Sequence, residues 1–469
     1  MKKLIALLLA MLMVVGLFAG CAEQPAGTEA QGTEGTKATE GSEATEPSGE
    51  KKDPVTVALW LYEDPIIRGN WEPFIEYIET KYDWIDINET WLPFDAGPEM
   101  MTVAYTTGDV PDIIFDTYSR LSPAVDAGLC YPITDVVEGL SDVLISAPSE
   151  GIIDGENYYV NTGGLGAYGI TCNMDIAEEI GCLEYLPEDG LSWGYEDFLQ
   201  CCRLAKEHGY IGCDLFAGSQ SSDMWYYSWF IANGVEITDG GVVTKTTFND
   251  PKYQAKAVEV LNVFKTMVDE GLCQAGAATM IDQEAQPIWY TGTMLFCHGA
   301  FSNSNTWKTA LADGTSVVDN FMIYGIPSAD GKGGPSASFP SSGLIMFDTA
   351  EGAKVEACKI ILTEALSEES GYMQSEVDAT GGSAIPVVNF TVHEVTDPDF
   401  QKINVEVGNP YSSTARADWG PSKAWYADFR LTFYPQLSDF YAGNITAEEL
   451  LTNWEAAANA VIEAANAKA

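Results

Sequence analysis

Two spacings of hydrophobic and polar positions alternate along the first part of the chain. Residues 54–64 (PVTVALWLYED) place apolar side chains at every second position, which predicts a β-strand. Residues 71–82 place them three or four apart, which predicts a helix, and the short apolar run 112–116 (DIIFD) predicts a further strand. Strands and helices continue to alternate without a fixed-period repeat. The pattern therefore predicts an α/β fold with two lobes, the first of them built on a largely parallel sheet.

Aromatic and acidic residues stand where two of these predicted strands end. In open α/β sheets, ligands bind beyond the carboxyl ends of the strands. This rule points to Trp60, Tyr62 and Glu63 after the first strand and to Asp116 after a later one. We expect these residues to lie at a ligand cleft.

The first 20 residues are typical of an export signal. Two lysines precede the 16 uncharged residues 4–19, a stretch shorter than the roughly 20 residues that a membrane-spanning helix needs. Small residues before Cys21 resemble the lipobox of bacterial lipoproteins, which implies that Cys21 becomes the lipidated N-terminus. A plain signal peptide with an incidental cysteine is the alternative.

Residues 22–53 have a composition that cannot form a core. They contain no aromatic residue and no Val, Ile, Leu or Met, and they repeat Thr, Glu, Gly and Ala in short blocks. Such a segment cannot offset the entropy lost on ordering, so residues 21–53 are predicted to be a lipidated cysteine followed by a disordered acidic tether.

Charge and cysteine usage exclude several classes of function. The formal net charge of −46 would repel a phosphate backbone, so nucleic acid is not expected as a partner. Apart from Cys21 there are nine cysteines, without a CxxC spacing, and three histidines. This set predicts neither a disulfide framework nor a metal site.

No motif for a cofactor or a catalytic nucleophile is complete. The glycines of residues 164–169 (GLGAYG) have dinucleotide-binding spacing, but a strand-like segment follows where a helix should begin. Residues 325–334 approach a phosphate-binding loop but lack its Ser or Thr. We therefore expect no cofactor, no catalytic residue and no enzymatic activity, with glycoside hydrolysis by paired carboxylates as the minor alternative.

Several segments together resemble the family-1 extracellular solute-binding proteins, the maltose-binding-protein-like receptors of carbohydrate ABC importers. Residues 106–115 (TTGDVPDIIF) are similar to the family's aGdaPDv segment, and residues 126–135 (DAGLCYPITD) to its Gll.pLtd segment. Residues 289–301 (WYTGTMLFCHGAF) are similar to f.sGkaAm...gsw. The likeness extends over essentially the whole chain after the tether.

The resemblance implies a two-lobe fold of the type II periplasmic-binding-protein kind, with the ligand cleft between the lobes. Residues 54–163 and 291–345 are assigned to the first lobe, and residues 164–290 and 346–469 to the second lobe and the C-terminal helices. The implied function is capture of a sugar or oligosaccharide by hinge closure and delivery to the permease subunits of an ABC importer. The protein would then be a monomer, held by its lipid at the outer face of the cell membrane.

The resemblance also implies ligand contacts at particular positions. Sugars present apolar faces to aromatic rings and hydroxyl groups to polar side chains. The segments that would supply such contacts contain Trp60, Tyr62, Asp64, Asp116, Phe301, Ser302, Asn303, Ser341, Ser342, Gly343, Arg416 and Trp419.

An aromatic segment, residues 222–234 (SDMWYYSWFIANG), predicts one short helix. Its rings cover an arc of about 200°, whereas a one-sided helix buries a stripe little over 100° wide. One edge should therefore face something other than its own core. Because the resemblance places the start of this helix at the cleft, we expect Trp225 and Tyr226 to form an exposed platform for the ligand.

The residues themselves leave a second kind of binding protein open. Acidic side chains beside an aromatic ring can cage a cation. Glu63, Asp64 and Asp116 together with Trp60 fit a cationic or peptide ligand as well as they fit a sugar.

Overall fold

The computed structural model describes residues 52–467 with the exception of 94–95, 145–150, 164–165, 221–222, 241–242, 338–341, 384–386, 391, 417–418, 421–422 and 424. The predicted leader, Cys21, the tether up to residue 51 and Ser341 lie outside the described residues. Residues from Lys52 onward form one compact unit.

The strands and helices alternate as the hydrophobic pattern predicts. The strands are β1 (Val55–Glu63), β2 (Ile85–Pro93), β3 (Ile113–Thr117), β4 (Ile152–Ile153), β5 (Glu156–Asn157), β6 (Val160–Asn161), β7 (Tyr168–Asn173), β8 (Ile211–Cys213), β9 (Met294–Ala300), β10 (Phe321–Tyr324) and β11 (Ser342–Met346). The helices are α1 (Pro65–Lys81), α2 (Gly97–Thr107), α3 (Leu121–Asp126), α4 (Thr134–Gly139), α5 (Met174–Glu179), α6 (Tyr195–Glu207), α7 (Asp223–Ala232), α8 (Gln254–Asp269), α9 (Asp282–Tyr290), α10 (Asn303–Ala312), α11 (Ala353–Glu364), α12 (Tyr372–Ala379), α13 (Pro398–Phe400), α14 (Asn409–Ser412), α15 (Tyr426–Tyr441) and α16 (Ala447–Asn466). Tyr118–Arg120 and Leu183–Tyr185 are short 3₁₀ turns, and Gln401–Gly408 is a π-helix.

The first lobe is built on a five-stranded sheet in the order β2-β1-β3-β11-β6. Strand β1 runs parallel to β2 and β3, and β11 runs antiparallel to its neighbours β3 and β6. Successive residues of β1 point to opposite faces. Leu59 and Leu61 therefore join a core with α1, α11 and α12, whereas Tyr62 faces Met101 and Tyr118 on the other side.

The second lobe is built on a four-stranded sheet in the order β10-β7-β9-β8. Strand β7 is antiparallel to both of its neighbours, and β8 is parallel to β9. All seven residues of β9 are buried, because this strand lies inside the sheet with elements on both faces. The α/β class and the two-lobe architecture predicted from the sequence are confirmed.

The assignment of residues 291–345 to the first lobe is wrong for most of that segment. Strands β9 and β10 pair with β7 and β8 in the second lobe, and the chain returns to the first sheet only at β11. Helices α11 and α12 then remain on the core of the first lobe, although residues 346–469 were assigned to the second. The sequence of a buried apolar strand does not indicate which sheet the strand joins, so the resemblance did not locate β9 and β10 in the second lobe.

Two of the connections between the lobes lie side by side. The backbone N–H groups of Thr162 and Gly163 both donate to the carbonyl of Ser342, at 3.1 and 3.0 Å. The backbone N–H of Tyr168 donates to Oγ of Ser336 at 3.0 Å. These bonds tie the chain leaving β6 to the chain entering β11. Within the described part of the chain, no helix is long and apolar enough to cross a membrane.

Candidate functional site

The carboxyl ends of β1 and β3 bring Tyr62 and Asp116 together, as the strand-end rule predicts. The Tyr62 hydroxyl donates to Oδ2 of Asp116 at 3.1 Å. Arg120, in the 3₁₀ turn after β3, donates through Nε to both carboxylate oxygens at 2.8 Å, and its guanidinium lies 5.4 Å from the centre of the Tyr62 ring. The side chain of Asp116 is fully buried and that of Arg120 is 19% exposed. The ion pair therefore lies at the edge of the first lobe.

The charges of this cluster stabilise one another. Burial and the charge of Asp116 raise the pKa of Tyr62, so its hydroxyl remains a donor. Burial lowers the pKa of Arg120, but the Asp116 carboxylate outweighs that effect and raises it. The hydroxyl of Tyr105 on α2 is buried nearby and has no hydrogen-bond partner among the described residues.

A second ion pair of the same kind lies at the edge of the second lobe. Asp223 is the first residue of α7, and its side chain is 3% exposed. Arg430 on α15 donates to its two carboxylate oxygens, through Nε at 3.1 Å and through Nη2 at 2.9 Å. The Arg430 guanidinium lies 5.8 Å from the centre of the Tyr426 ring. Each lobe thus holds one arginine by a buried aspartate and a tyrosine.

The two ion pairs meet where the lobes approach each other. The 3₁₀ turn Tyr118–Arg120 of the first lobe contacts α15 of the second. The positive charge of Arg430 acts to lower the pKa of Arg120. Burial first, and then the charge of Asp223, raise the pKa of Tyr168 on β7. The charge of Asp282, the first residue of α9, contributes in the same direction.

The acidic residues predicted to cage a cation are bound by the protein itself. Asp64 caps α1, since its Oδ1 accepts from the backbone N–H groups of Ile66 and Ile67 at 2.8 and 3.2 Å. Glu63 is exposed and accepts from Nε of Arg68 at 3.0 Å. With Asp116 bound to Arg120, this arrangement does not favour a cation cage. Trp60 is half-buried beside Tyr62.

The prediction that Trp225 and Tyr226 form an exposed platform is wrong. Every residue of α7 is buried, and Trp225 is 0% exposed. Nε1 of Trp225 donates to the carbonyl of Gly169 at 3.1 Å, and the Tyr226 hydroxyl donates to the carbonyl of Phe216 at 2.6 Å. The wide aromatic arc has a different cause: α7 is surrounded by β7, α8 and α15, so both of its edges are core.

Other predicted contacts take structural roles. Phe301 is buried against Tyr411, with ring centres 5.9 Å apart. Oδ1 of Asn303 accepts from the N–H of Ala300 at 2.8 Å, and the neighbouring Ser302 is half-buried. The structure therefore places Ser302 and Asn303 at the start of α10, directly after β9.

Arg416 and Trp419 lie together on the second lobe. Nη1 of Arg416 donates to Glu236 at 2.8 Å, and Nε1 of Trp419 donates to the carbonyl of Arg416 at 3.1 Å. The side chain of Trp419 is 1% exposed, so its ring is not available to a ligand here.

Ser342 and Gly343 lie at the start of β11, next to the ends of β3 and β6. A Cβ atom on Gly343 would lie 2.2 Å from the carbonyl oxygen of Val160. Glycine is therefore required at this position by the close approach of β6.

The sequence did not point to Arg120, Asp223, Arg430 or Tyr168. A signal for the arginines exists, since the chain has only five arginines and an excess of acids. An arginine between two apolar residues, such as Arg430 between Phe429 and Leu431, indicates a charge with a structural or binding role.

A third buried ion pair lies inside the second lobe. His298 on β9 donates its backbone N–H to Oδ1 of Asp214 at 2.8 Å, and its Nδ1 contacts the other oxygen directly. The thiol of Cys297 lies 3.6 Å from the same carboxylate, so three metal-ligand side chains are close together. The direct contact of imidazole and carboxylate leaves no room for an ion between them. Burial lowers the pKa of His298, and the charge of Asp214 outweighs that effect and raises it.

A cavity of about 440 Å³ lies elsewhere, on the outer surface of the first lobe. It is lined by residues of α11 and by Tyr82, which precedes β2. It therefore lies at the amino ends of the parallel strands, away from the two ion pairs.

A family-level sequence comparison identifies a match over most of the chain. The sequence profile of a family described as bacterial extracellular solute-binding proteins matches residues 75–401. No curated protein sequence matches the chain.

Solved structures of similar fold cover nearly the whole chain. The GacH receptor of Streptomyces glaucescens GLA.O, determined unliganded and with acarbose, is 15% identical, with a TM-score of 0.71 over 88% of this chain and 99% of that one. A chitin oligosaccharide binding protein is 18% identical, with a TM-score of 0.70 over 89% and 100%. The cyclic alpha-maltosyl-1,6-maltose binding protein from Arthrobacter globiformis is 19% identical, with a TM-score of 0.65 over 88% and 100%.

Proposed function

Because this chain belongs to the family of bacterial extracellular solute-binding proteins, we propose that it captures a sugar or oligosaccharide between its lobes and delivers it to an ABC importer. The observation that carries the proposal is the meeting of Asp116–Arg120 from one lobe with Asp223–Arg430 from the other. A ligand that contacts both pairs stabilises the closed arrangement of the lobes relative to the open arrangement, in which it can contact only one pair. Capture of this kind needs no covalent step.

The carbohydrate class rests on two kinds of support. The printed descriptions of the similar structures name acarbose, chitin oligosaccharide and a cyclic maltosyl sugar. The proposed cleft also combines charged hydrogen-bonding groups with tyrosine rings, the combination that suits the polar edges and apolar faces of sugars. Trp60, Tyr62 and Ser342 are proposed as further contacts on the first lobe.

The proposed role includes attachment to the outer face of the cell membrane. Cys21 is the proposed lipid-bearing residue, and residues 22–53 would hold the folded part at a distance of roughly 30 Å as a flexible coil. The partners would be the permease subunits of the importer, with the binding protein acting as a monomer. A Cys21→Ala variant should appear in the culture medium instead of the membrane fraction; retention of that variant in the membrane would contradict the anchor.

The test of the function is ligand binding to the purified folded part, residues 52–469. A bound ligand at 100 times its Kd stabilises the protein by about 2.7 kcal/mol, which is visible as a rise in Tm. We expect at least one member of a broad glycan panel to raise the Tm and to change the tryptophan fluorescence. A panel of mono- and oligosaccharides without any response would contradict the proposal.

A further inference from the structure

The two arginines between the lobes are held in the same way, by one edge only. Arg120 uses Nε and Nη2 to bind Asp116, and Arg430 uses Nε and Nη2 to bind Asp223 and, through Nη2, the carbonyl of Gln220. Within the described residues, Nη1 of Arg120 and Nη1 of Arg430 have no hydrogen-bond partner. Each Nη1 carries two N–H donors. Both side chains are partly exposed, at 19% and 25%.

The acceptors of the two pairs are already occupied. The oxygens of Asp116 accept from Arg120, from the Tyr62 hydroxyl and from the backbone N–H of Thr117 at 2.6 Å. The oxygens of Asp223 accept from Arg430, and the Tyr426 hydroxyl lies 3.4 Å away. Both carboxylates are buried. Among the described residues of the two pairs, the arginines therefore offer donors to a ligand, and the carboxylate oxygens are already engaged.

A donor-only contact distinguishes between ligand groups. A hydroxyl group brings a proton of its own, which needs an acceptor when water is excluded. A carboxylate only accepts, and its two oxygens suit the planar arrangement of guanidinium N–H groups. The turn that carries Arg120 contacts α15, which carries Arg430. A negative group in contact with both arginines would be attracted by two positive charges.

On these grounds, and resting on the proposed function, we infer that the ligand is an acidic saccharide whose carboxylate is bound between Arg120 and Arg430. Asp116 and Asp223 act as positioning residues, because each holds its arginine by the edge opposite the ligand.

The acidity of the whole protein does not oppose this contact. Beyond about 8 Å, charges are largely screened at physiological ionic strength. The formal charge of −46 therefore slows the approach of an anionic sugar without determining its affinity once it lies against the arginines. The screening also makes the contact itself measurable, since added salt weakens a charged pair more than a neutral hydrogen bond.

The experiment compares acidic and neutral sugars in matched pairs by calorimetry on residues 52–469. The probes are glucuronate with glucose, galacturonate with galactose and mannuronate with mannose, as monomers and as di- to tetrasaccharides. We expect an acidic member to bind at least tenfold more tightly than its neutral partner in 50 mM NaCl, with a smaller difference in 500 mM NaCl. Glucose 6-sulfate and glucose 6-phosphate identify the anionic group; a preference for either over glucuronate overturns the carboxylate assignment.

Conservative variants connect the preference to the two arginines. Arg120→Lys and Arg430→Lys keep the charge but lose the second donor edge, so each should lose most of the preference for the acidic sugar. Arg203→Lys is the matched control: Arg203 binds Glu270 through Nε at 2.7 Å and Nη2 at 2.9 Å, on the outer surface. Circular dichroism and the Tm establish that each variant is folded.

The outcomes separate this inference from the proposed function. Tighter binding of the neutral sugars, or an acidic preference that survives both arginine variants, overturns the inference and leaves sugar capture intact. A protein that binds neither member of any pair, nor any other glycan, overturns both.

Discussion

Asp116 and Arg120 form an ion pair and are only four positions apart in sequence. They nevertheless belong to different elements, the end of β3 and the turn that follows it. Nε of Arg120 lies 2.8 Å from each carboxylate oxygen. The aspartate is buried and the arginine is 19% exposed, in the turn that contacts α15 of the second lobe. The pair therefore contributes both to the stability of the first lobe and to the surface that this lobe presents to the second.

Removal of the carboxylate should destabilise the unliganded protein. In an Asp116→Ala variant, the Arg120 guanidinium and the Tyr62 hydroxyl lose their common acceptor in a largely buried place. Breaking a buried pair in this way costs about 3–5 kcal/mol. Urea unfolding of the unliganded protein measures the loss.

The control for that variant is an exposed pair of the same spacing. Lys265 and Asp269 are also four residues apart, and the Asp269 side chain is 58% exposed. Asp269→Ala should cost about 0–1 kcal/mol, since water replaces the lost partner. Equal losses in the two variants would mean that the burial of Asp116 has no energetic consequence.

Two tryptophan substitutions distinguish a residue of the core from a residue of the proposed cleft. Trp225→Ala should lower the free energy of unfolding by about 3–5 kcal/mol, because it empties a fully buried site among Phe216, Trp229 and Phe264. Trp60→Ala should cost less, since that ring is half-buried, and should weaken ligand binding more than it weakens the fold. Urea unfolding and calorimetry give both quantities for each variant. A stable Trp225→Ala protein that fails to bind would restore the platform interpretation.

The ends of the strands were predictable from the sequence, and the pairing of distant residues within the second lobe was not. Alternation of apolar residues locates the end of β1, and the apolar run DIIF locates the end of β3, so Tyr62 and Asp116 follow from local pattern and a general rule of sheets. Asp223 and Arg430 are 207 residues apart in sequence. Their pairing depends on how α15 packs on α7, and no local pattern records that packing.

The wide aromatic arc of α7 was predicted correctly, but the exposure inferred from it was not. The rings of α7 do cover more than one stripe, as the sequence predicts. The conclusion that one edge is exposed assumed a helix on the surface of its lobe. Tyr227 instead stacks on Trp454 of α16 with ring centres 5.7 Å apart. A helix with apolar residues on all sides is buried on all sides.

The buried pair of His298 and Asp214 predicts a dependence of stability on pH. The pKa of His298 is raised above its ordinary value of 6.5 in the folded state. The folded protein therefore binds this proton more tightly than the unfolded chain does. The resulting stabilisation is complete below about pH 6.5 and is lost as the pH rises through the raised pKa.

The double variant Asp214→Asn/His298→Asn tests this prediction, because it replaces both charged partners with neutral ones. The difference in unfolding free energy between the original protein and the variant should shrink as the pH rises from 6 towards 9. Denaturant unfolding at several pH values measures it. A difference that grows with pH would mean that the imidazole is neutral in the folded protein.

Glycine at position 343 should be needed for the connection between the lobes. A Cβ atom there would lie 2.2 Å from the carbonyl oxygen of Val160 and 2.6 Å from the ring of Tyr159, so β6 would have to move away from β11. Overpacking of this kind costs about 1–3 kcal/mol or more.

Gly108→Ala is the control variant. Gly108 has a φ of +74° and open space around it, so only the left-handed backbone opposes alanine, at about 1–2 kcal/mol. Because the N–H groups of Thr162 and Gly163 bind Ser342 next to Gly343, Gly343→Ala should also speed hydrogen exchange in residues 160–163, and Gly108→Ala should not. Unchanged exchange in that segment would show that β6 and β11 can separate without loosening the link between the lobes.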